Sequence, residues 1–211
     1  MERKYKYLGY VMILFLPLVF IAFYKSYFEH FPKFSSRIQV FDHVHAIIAS
    51  TWMLLLIVQP ILISKRKYEL HRKIGRLSYF LFPLLILSFI PREIKMIESA
   101  EPENLFFPVA DTLVLIPLYL LAILNKRNAA KHMRYMIAAA LVFFGPTVGR
   151  IGPQWLGWSA LATQNVQYSL IYAILIGLIL YDFRNLKKGQ PFFVAIVFFL
   201  MHQMAFYFIF L

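Results

Sequence analysis

The chain has 211 residues, of which 61% are hydrophobic, 18% aromatic and 15% charged, with a formal net charge of +12 and no cysteine. Water-soluble domains hold roughly half apolar and a quarter charged residues, so this composition excludes a single soluble globule and points to a lipid bilayer. The missing thiols exclude disulfides, thiolate metal sites, iron–sulfur clusters and cysteine nucleophiles. Basic residues fall in short clusters between apolar runs, the pattern of topology signals and headgroup contacts and not of nucleic-acid binding.

A membrane-spanning helix takes about 20 mostly apolar residues at ~1.5 Å each. Seven stretches qualify: Leu8 to Phe23, Phe41 to Ile63, Ile74 to Ile90, Phe106 to Leu124, Met133 to Gly149, Leu161 to Tyr181 and Pro191 to Leu211. The first has a basic start but no small-residue cleavage site, and reads as a retained signal anchor. Short connections without a Gly/Ser linker predict one domain, 1–211, an all-α integral membrane fold of seven transmembrane helices in a single bundle. Sixteen of the 22 Lys and Arg residues lie in the N-terminal tail and in the turns after the second, fourth and sixth spans. The positive-inside rule then expects the N-terminus in the cytoplasm and the C-terminus outside, in a bacterial inner membrane.

Taken in order, the second span opens at Asp42, placed to cap its helix, and carries His45, Trp52 and Gln59 at seven-residue intervals. Such a stripe is expected to face protein, because an unpaired polar group in hydrocarbon costs several kcal/mol or so. The turn HRKIGRLSY follows. Arg72 and Arg76 share a face, as do His71 and Gly75; the guanidiniums are suited to a phosphate, a carboxylate or a haem propionate, or to snorkelling among headgroups. Asp111 lies about a turn inside the fourth span, either a functional ionisable group or an interfacial acid near a helix start.

The fifth span begins at KHMRYM, with His132 and Arg134, and closes on FFGPTVGRIG, where Gly145 and Gly149 form a GxxxG pair suited to a neighbouring helix. Arg150 follows, with Asp111 or a ligand carboxylate as its natural partner. Gln164, Asn165 and Gln167 concentrate amides at the start of the sixth span, and His202 and Gln203 fall near the middle of the seventh. A buried structural histidine and a functional one both remain open for His202. The HExxH and HxxxH arrays of metalloenzymes are absent, and so is a retinal-binding lysine in the last span.

The phrases HAIIASTWMLLLIVQPILI, LHRKIGRLSY and KHMRYMIAAALVFFGPTVGRI together resemble an uncharacterised family of bacterial multi-pass membrane proteins. In it a His precedes Trp in one span, an HRxxGR turn opens the next, and an HxRxM turn opens a later span that closes on Arg. His45, Trp52, His71, Arg72, Gly75, His132, Arg134 and Arg150 are the matching positions. The HR turn is also faintly similar to those of ferric-reductase-like and b561-type cytochromes, whose paired histidines along two helices are not seen here.

Two polar sets emerge by depth. The cytoplasmic set, His71, His132, Arg72, Arg76 and Arg134, would hold a haem b, with the histidines as ligands and the arginines on its propionates. The outer set comprises His45, Asp111 and His202, which would ligate zinc or non-haem iron, with Trp52, Arg150, Gln164, Asn165 and Gln167 lining a polar cavity. The expected functions are a b-type haem or quinone-linked redox protein, a metal-dependent membrane enzyme acting on a lipid or isoprenoid, a small-molecule or proton transporter, or a structural assembly subunit.

Overall fold

The computed structural model describes residues 5–34, 38–98, 102–184 and 189–211. Arg3, Lys4, Arg37, Lys187 and Lys188, which enter the charge asymmetry, and Ser99, Ala100 and Glu101 of the acidic connection lie outside the described residues. Among the described residues there are helices and no strands. Six helical runs are long and apolar enough to cross a membrane: Val40–Ser64, Tyr68–Ile97, Glu103–Leu124, Ala129–Trp155, Ala160–Phe183 and Gln190–Phe210; a shorter apolar run covers Leu8–Tyr24. Large apolar side chains point outward along them, Phe80 at 75% exposed and Phe208 at 91%. Such side chains in water would be a severe association liability, so this is the surface of a multi-pass membrane protein.

The runs subdivide into α1 (Leu8–Met12), α2 (Phe15–Tyr24), α3 (Val40–Ser64), α4 (Tyr68–Gly75), α5 (Ser78–Leu87), α6 (Ile90–Ile97), α7 (Phe106–Leu124), α8 (Ala129–Leu141), α9 (Phe144–Trp155), α10 (Ala160–Phe183) and α11 (Gln190–Phe210). Three of the interruptions fall three or four residues before a proline. Proline removes the amide that would serve the carbonyl four residues back, and the chain responds by tightening. The Ile13 carbonyl four residues before Pro17 accepts from Leu16, and the Val142 carbonyl before Pro146 accepts from Gly145, both bonds of the three-residue type. Ahead of Pro91, Phe89 likewise bonds Ile86. The expected third span, Ile74 to Ile90, is longer at both ends because backbone bonding continues through charged residues that a hydropathy reading discards.

The helices gather into two compact units, Met1–Leu105 and Phe106–Leu211. In the first, α3 packs on α1, α4 and α5. A Cβ on Gly9 would sit 2.5 Å from Ile61 Cγ1, so glycine is what lets α1 close on α3. The α3 stripe faces inward along its length: His45 contacts Ser88 and Phe89, Trp52 packs on Phe82 at 5.3 Å between ring centroids, and Gln59 meets His71 and Gly75. Contacts that climb one chain while descending the other describe an antiparallel pair. Asp42 accepts from the Gln39 N–H at 2.9 Å and from Arg92 at 2.8 Å, tying the α3 N-terminus to α6.

In the second unit α7 packs on α8, α10 on α9 and α11, and α11 on α7 and α8. Asn128 and Ser159 cap α8 and α10 by accepting from Lys131 and Ala162 amides. The GxxxG expectation is corrected here. A Cβ on Gly145 would collide with the Asp111 carboxylate, whereas one on Gly149 would meet nothing within 4 Å; Gly152 instead seats a neighbour, Thr163, at 2.5 Å.

Candidate functional site

The second unit brings three of the expected residues and one unexpected one to the same end. Asp111 lies near the start of α7, Gln164 and Tyr168 in the first third of α10, and His202 about two turns before the end of α11. His202 Nδ1 is 2.8 Å from the Tyr168 hydroxyl, a buried contact, and its Nε2 is 3.5 Å from Asp111 Oδ1. A phenol donating to Nδ1, with Nε2–H facing the carboxylate, sets three titratable groups in a row across three helices: Tyr168, His202, Asp111. The Nε2–Oδ1 separation is too long for a good hydrogen bond. Gly145 supplies the space for the carboxylate, and Arg150 Nη1 donates to the Pro146 carbonyl at 3.0 Å.

Around this chain the environment is apolar and aromatic. Phe106 stacks edge-on to His202 at 5.1 Å, and Phe206 meets Tyr168 at 6.2 Å. The amide oxygens of Gln164 and Gln167 are buried with no hydrogen-bond partner among the described residues, an arrangement that normally costs about 1–3 kcal/mol each and is retained where something else is satisfied by it. Asn165 joins a second chain on the α10–α11 seam. Tyr172 donates to Gln203 Oε1 at 2.8 Å, Gln203 Nε2 donates to the Tyr207 hydroxyl at 3.2 Å, and that hydroxyl donates to Asn165 Oδ1.

The other expected residues are placed elsewhere. His45, in the first unit, directs Nδ1 at the Ser88 hydroxyl (2.8 Å), which itself donates to the Leu85 carbonyl at 2.6 Å. Among the described residues no three His, Asp or Glu side chains gather as a metal-holding group; of the set expected for zinc or non-haem iron, the Asp111–His202 pair forms. Trp52 is fully buried as packing against Phe82. The Gln59 amide, oriented so that its oxygen accepts from Gly75 N–H at 3.1 Å, turns its nitrogen to His71 Nδ1. Arg72 and Arg76 are exposed.

His132 Nδ1 lies 2.8 Å from the Ala122 carbonyl, one of the α7 C-terminal acceptors left without an intrahelical donor. Arg134, expected to meet a propionate, is instead held by Asp182: Nε to Oδ2 at 2.6 Å and Nη2 to Oδ1 at 2.8 Å, with the two side chains 2% and 1% exposed. Reading the sequence missed Asp182 because it stands at the end of an apolar run, where an acid looks interfacial. The available signal was distance along the chain: a basic residue in the first turns of one helix can meet an acid at the end of an antiparallel neighbour.

In the first unit Tyr27 bonds His43 Nδ1 at 2.6 Å. Burial, and secondarily the Asp42 charge, push the Tyr27 phenol above its ordinary range, so it acts there as a neutral donor. No known family, curated protein or solved structure matches the chain.

Proposed function

We propose that the chain is a seven-span protein of the bacterial inner membrane, with Leu8–Tyr24 as its first crossing and its N-terminus in the cytoplasm, and that it is a proton transporter. One observation carries this reading: a carboxylate, an imidazole and a phenol from α7, α11 and α10 are joined in a line within apolar helices. An ionisable group in a span must be paired, hydrated or neutralised, and a chain of titratable groups gives a proton successive places to reside. Asp111 takes the proton, His202 passes it, and Tyr168 holds the ring in the orientation that faces the carboxylate.

The test is proton flux into proteoliposomes driven by a potassium diffusion potential. Wild-type protein should acidify the lumen well above empty vesicles, with Asp111→Asn and His202→Gln at least about tenfold slower and Tyr168→Phe intermediate. Wild-type flux equal to that of empty vesicles, or unaltered flux in Asp111→Asn, would overturn the proposal.

A second reading, a b-type haem or quinone-linked redox protein, draws on His132. Its Nδ1–H donates to a carbonyl, the arrangement that fixes the tautomer in which Nε2 is the ligating nitrogen. A Soret band in detergent-purified protein that disappears in His132→Ala would support it, and a colourless preparation after growth with excess haem precursor would exclude it.

A further inference from the structure

The α3–α4 turn carries a feature that the proton chain does not use. Helix α3 ends in a Schellman motif: the Lys67 N–H donates to the Leu62 carbonyl at 2.8 Å and the Arg66 N–H to the Ile63 carbonyl at 3.0 Å. The residue after the C-cap must then be left-handed, and glycine usually occupies it. Here it is Arg66, with φ at 57°, a left-handed conformation that a non-glycine residue adopts only under strain. This turn lines a concavity of about 660 Å³ with Arg66, Lys67, Arg72 and Lys73, with Glu69 as its one acid and Tyr68 and Leu70 at its wall.

Among the described residues none of the four cations is held in an ion pair. The three residues from Lys65 to Lys67 join two runs long enough to span a bilayer, Val40–Ser64 and Tyr68–Ile97, so the concavity lies where lipid headgroups lie. Tyr68, Leu70, Leu77 and Phe80 present large exposed apolar surface beside it, which suits acyl chains descending from a headgroup.

We propose that this concavity binds the headgroup of an anionic phospholipid, with Arg66, Lys67, Arg72 and Lys73 on the phosphate oxygens. Four cations against one carboxylate match a lipid with two phosphodiesters better than one with a single charge. The strain at Arg66 is the local cost of directing a guanidinium into the site.

The experiment titrates the purified full-length chain in neutral detergent–phosphatidylcholine micelles with cardiolipin, reading thermal midpoint and lipid adducts by native mass spectrometry. Cardiolipin should raise the midpoint and remain bound, additional phosphatidylcholine should do neither, and the fourfold variant R66Q/K67Q/R72Q/K73Q should bind at least about tenfold more weakly. Neutralising Lys126, Arg127 and Lys131 in another basic turn should leave binding within about twofold. Arg66→Gly should be more thermostable than wild type without lipid yet bind cardiolipin more weakly. Equal loss from the two basic turns would mean diffuse attraction and overturn the site, as would equal binding by wild type and the fourfold variant. Inorganic phosphate protecting as well as cardiolipin would overturn the lipid as occupant.

Discussion

Asp111 depends on what Gly145 lacks. A methyl group there would enter the volume of the carboxylate, so Gly145→Ala should cost about 1–3 kcal/mol and displace the acid from His202. Gly149→Ala, opening on empty space, should be neutral or gain up to ~1 kcal/mol from helix propensity; thermal midpoints in micelles and proton flux together distinguish the two. The Arg134–Asp182 pair makes a second test. Arg134→Met alone should cost about 3–5 kcal/mol, because it strands a buried carboxylate, and Arg134→Met with Asp182→Leu should recover most of it. At Tyr27 the raised phenol pKa means that the folded chain favours the neutral form. Stability is fully present below about pH 10 and drains as pH rises through the folded value, a loss that Tyr27→Phe should abolish in alkaline denaturation curves.

At the scale of elements, α3 shows what a sequence can and cannot disclose. The His45, Trp52, Gln59 spacing was enough to say that one face meets protein, and that face does meet α4, α5 and the link from α5 to α6. Spacing names a face without naming its neighbour: Ser88, Phe82 and Gly75 could not be chosen from periodicity. Replacing Trp52 by Ala should therefore cost about 3–5 kcal/mol, whereas Leu54→Ala on the opposite, exposed face should stay within about 0.5 kcal/mol, measured by unfolding in mixed micelles. Asp111 and His202 were legible as polar groups inside apolar runs. Tyr168 was not, because a tyrosine near a span's end looks like an interfacial anchor, and only the packing of α10 on α11 turns its hydroxyl to a histidine.

For the whole molecule, length and hydropathy were sufficient to recover six runs and the shorter first one, since backbone groups in lipid must be satisfied within each segment. Single-cysteine labelling is unambiguous in a chain with no native cysteine. Lys67→Cys and Lys126→Cys should resist a membrane-impermeant maleimide in intact cells, and Glu98→Cys and Trp158→Cys should react; reversal would invert the proposed orientation. The proline-tightened turns at residues 13–16, 86–89 and 142–145 bear on how the chain is to be scanned. A stretch wound at three residues per turn advances about 120° per residue where an α-helix advances about 100°, so three such steps put the following helix roughly 60° out of phase. Angular projections drawn unbroken through these runs assign the wrong azimuth to everything beyond them, Arg150 and Gly152 included, and mutational periodicity in each should restart after the tightened turn.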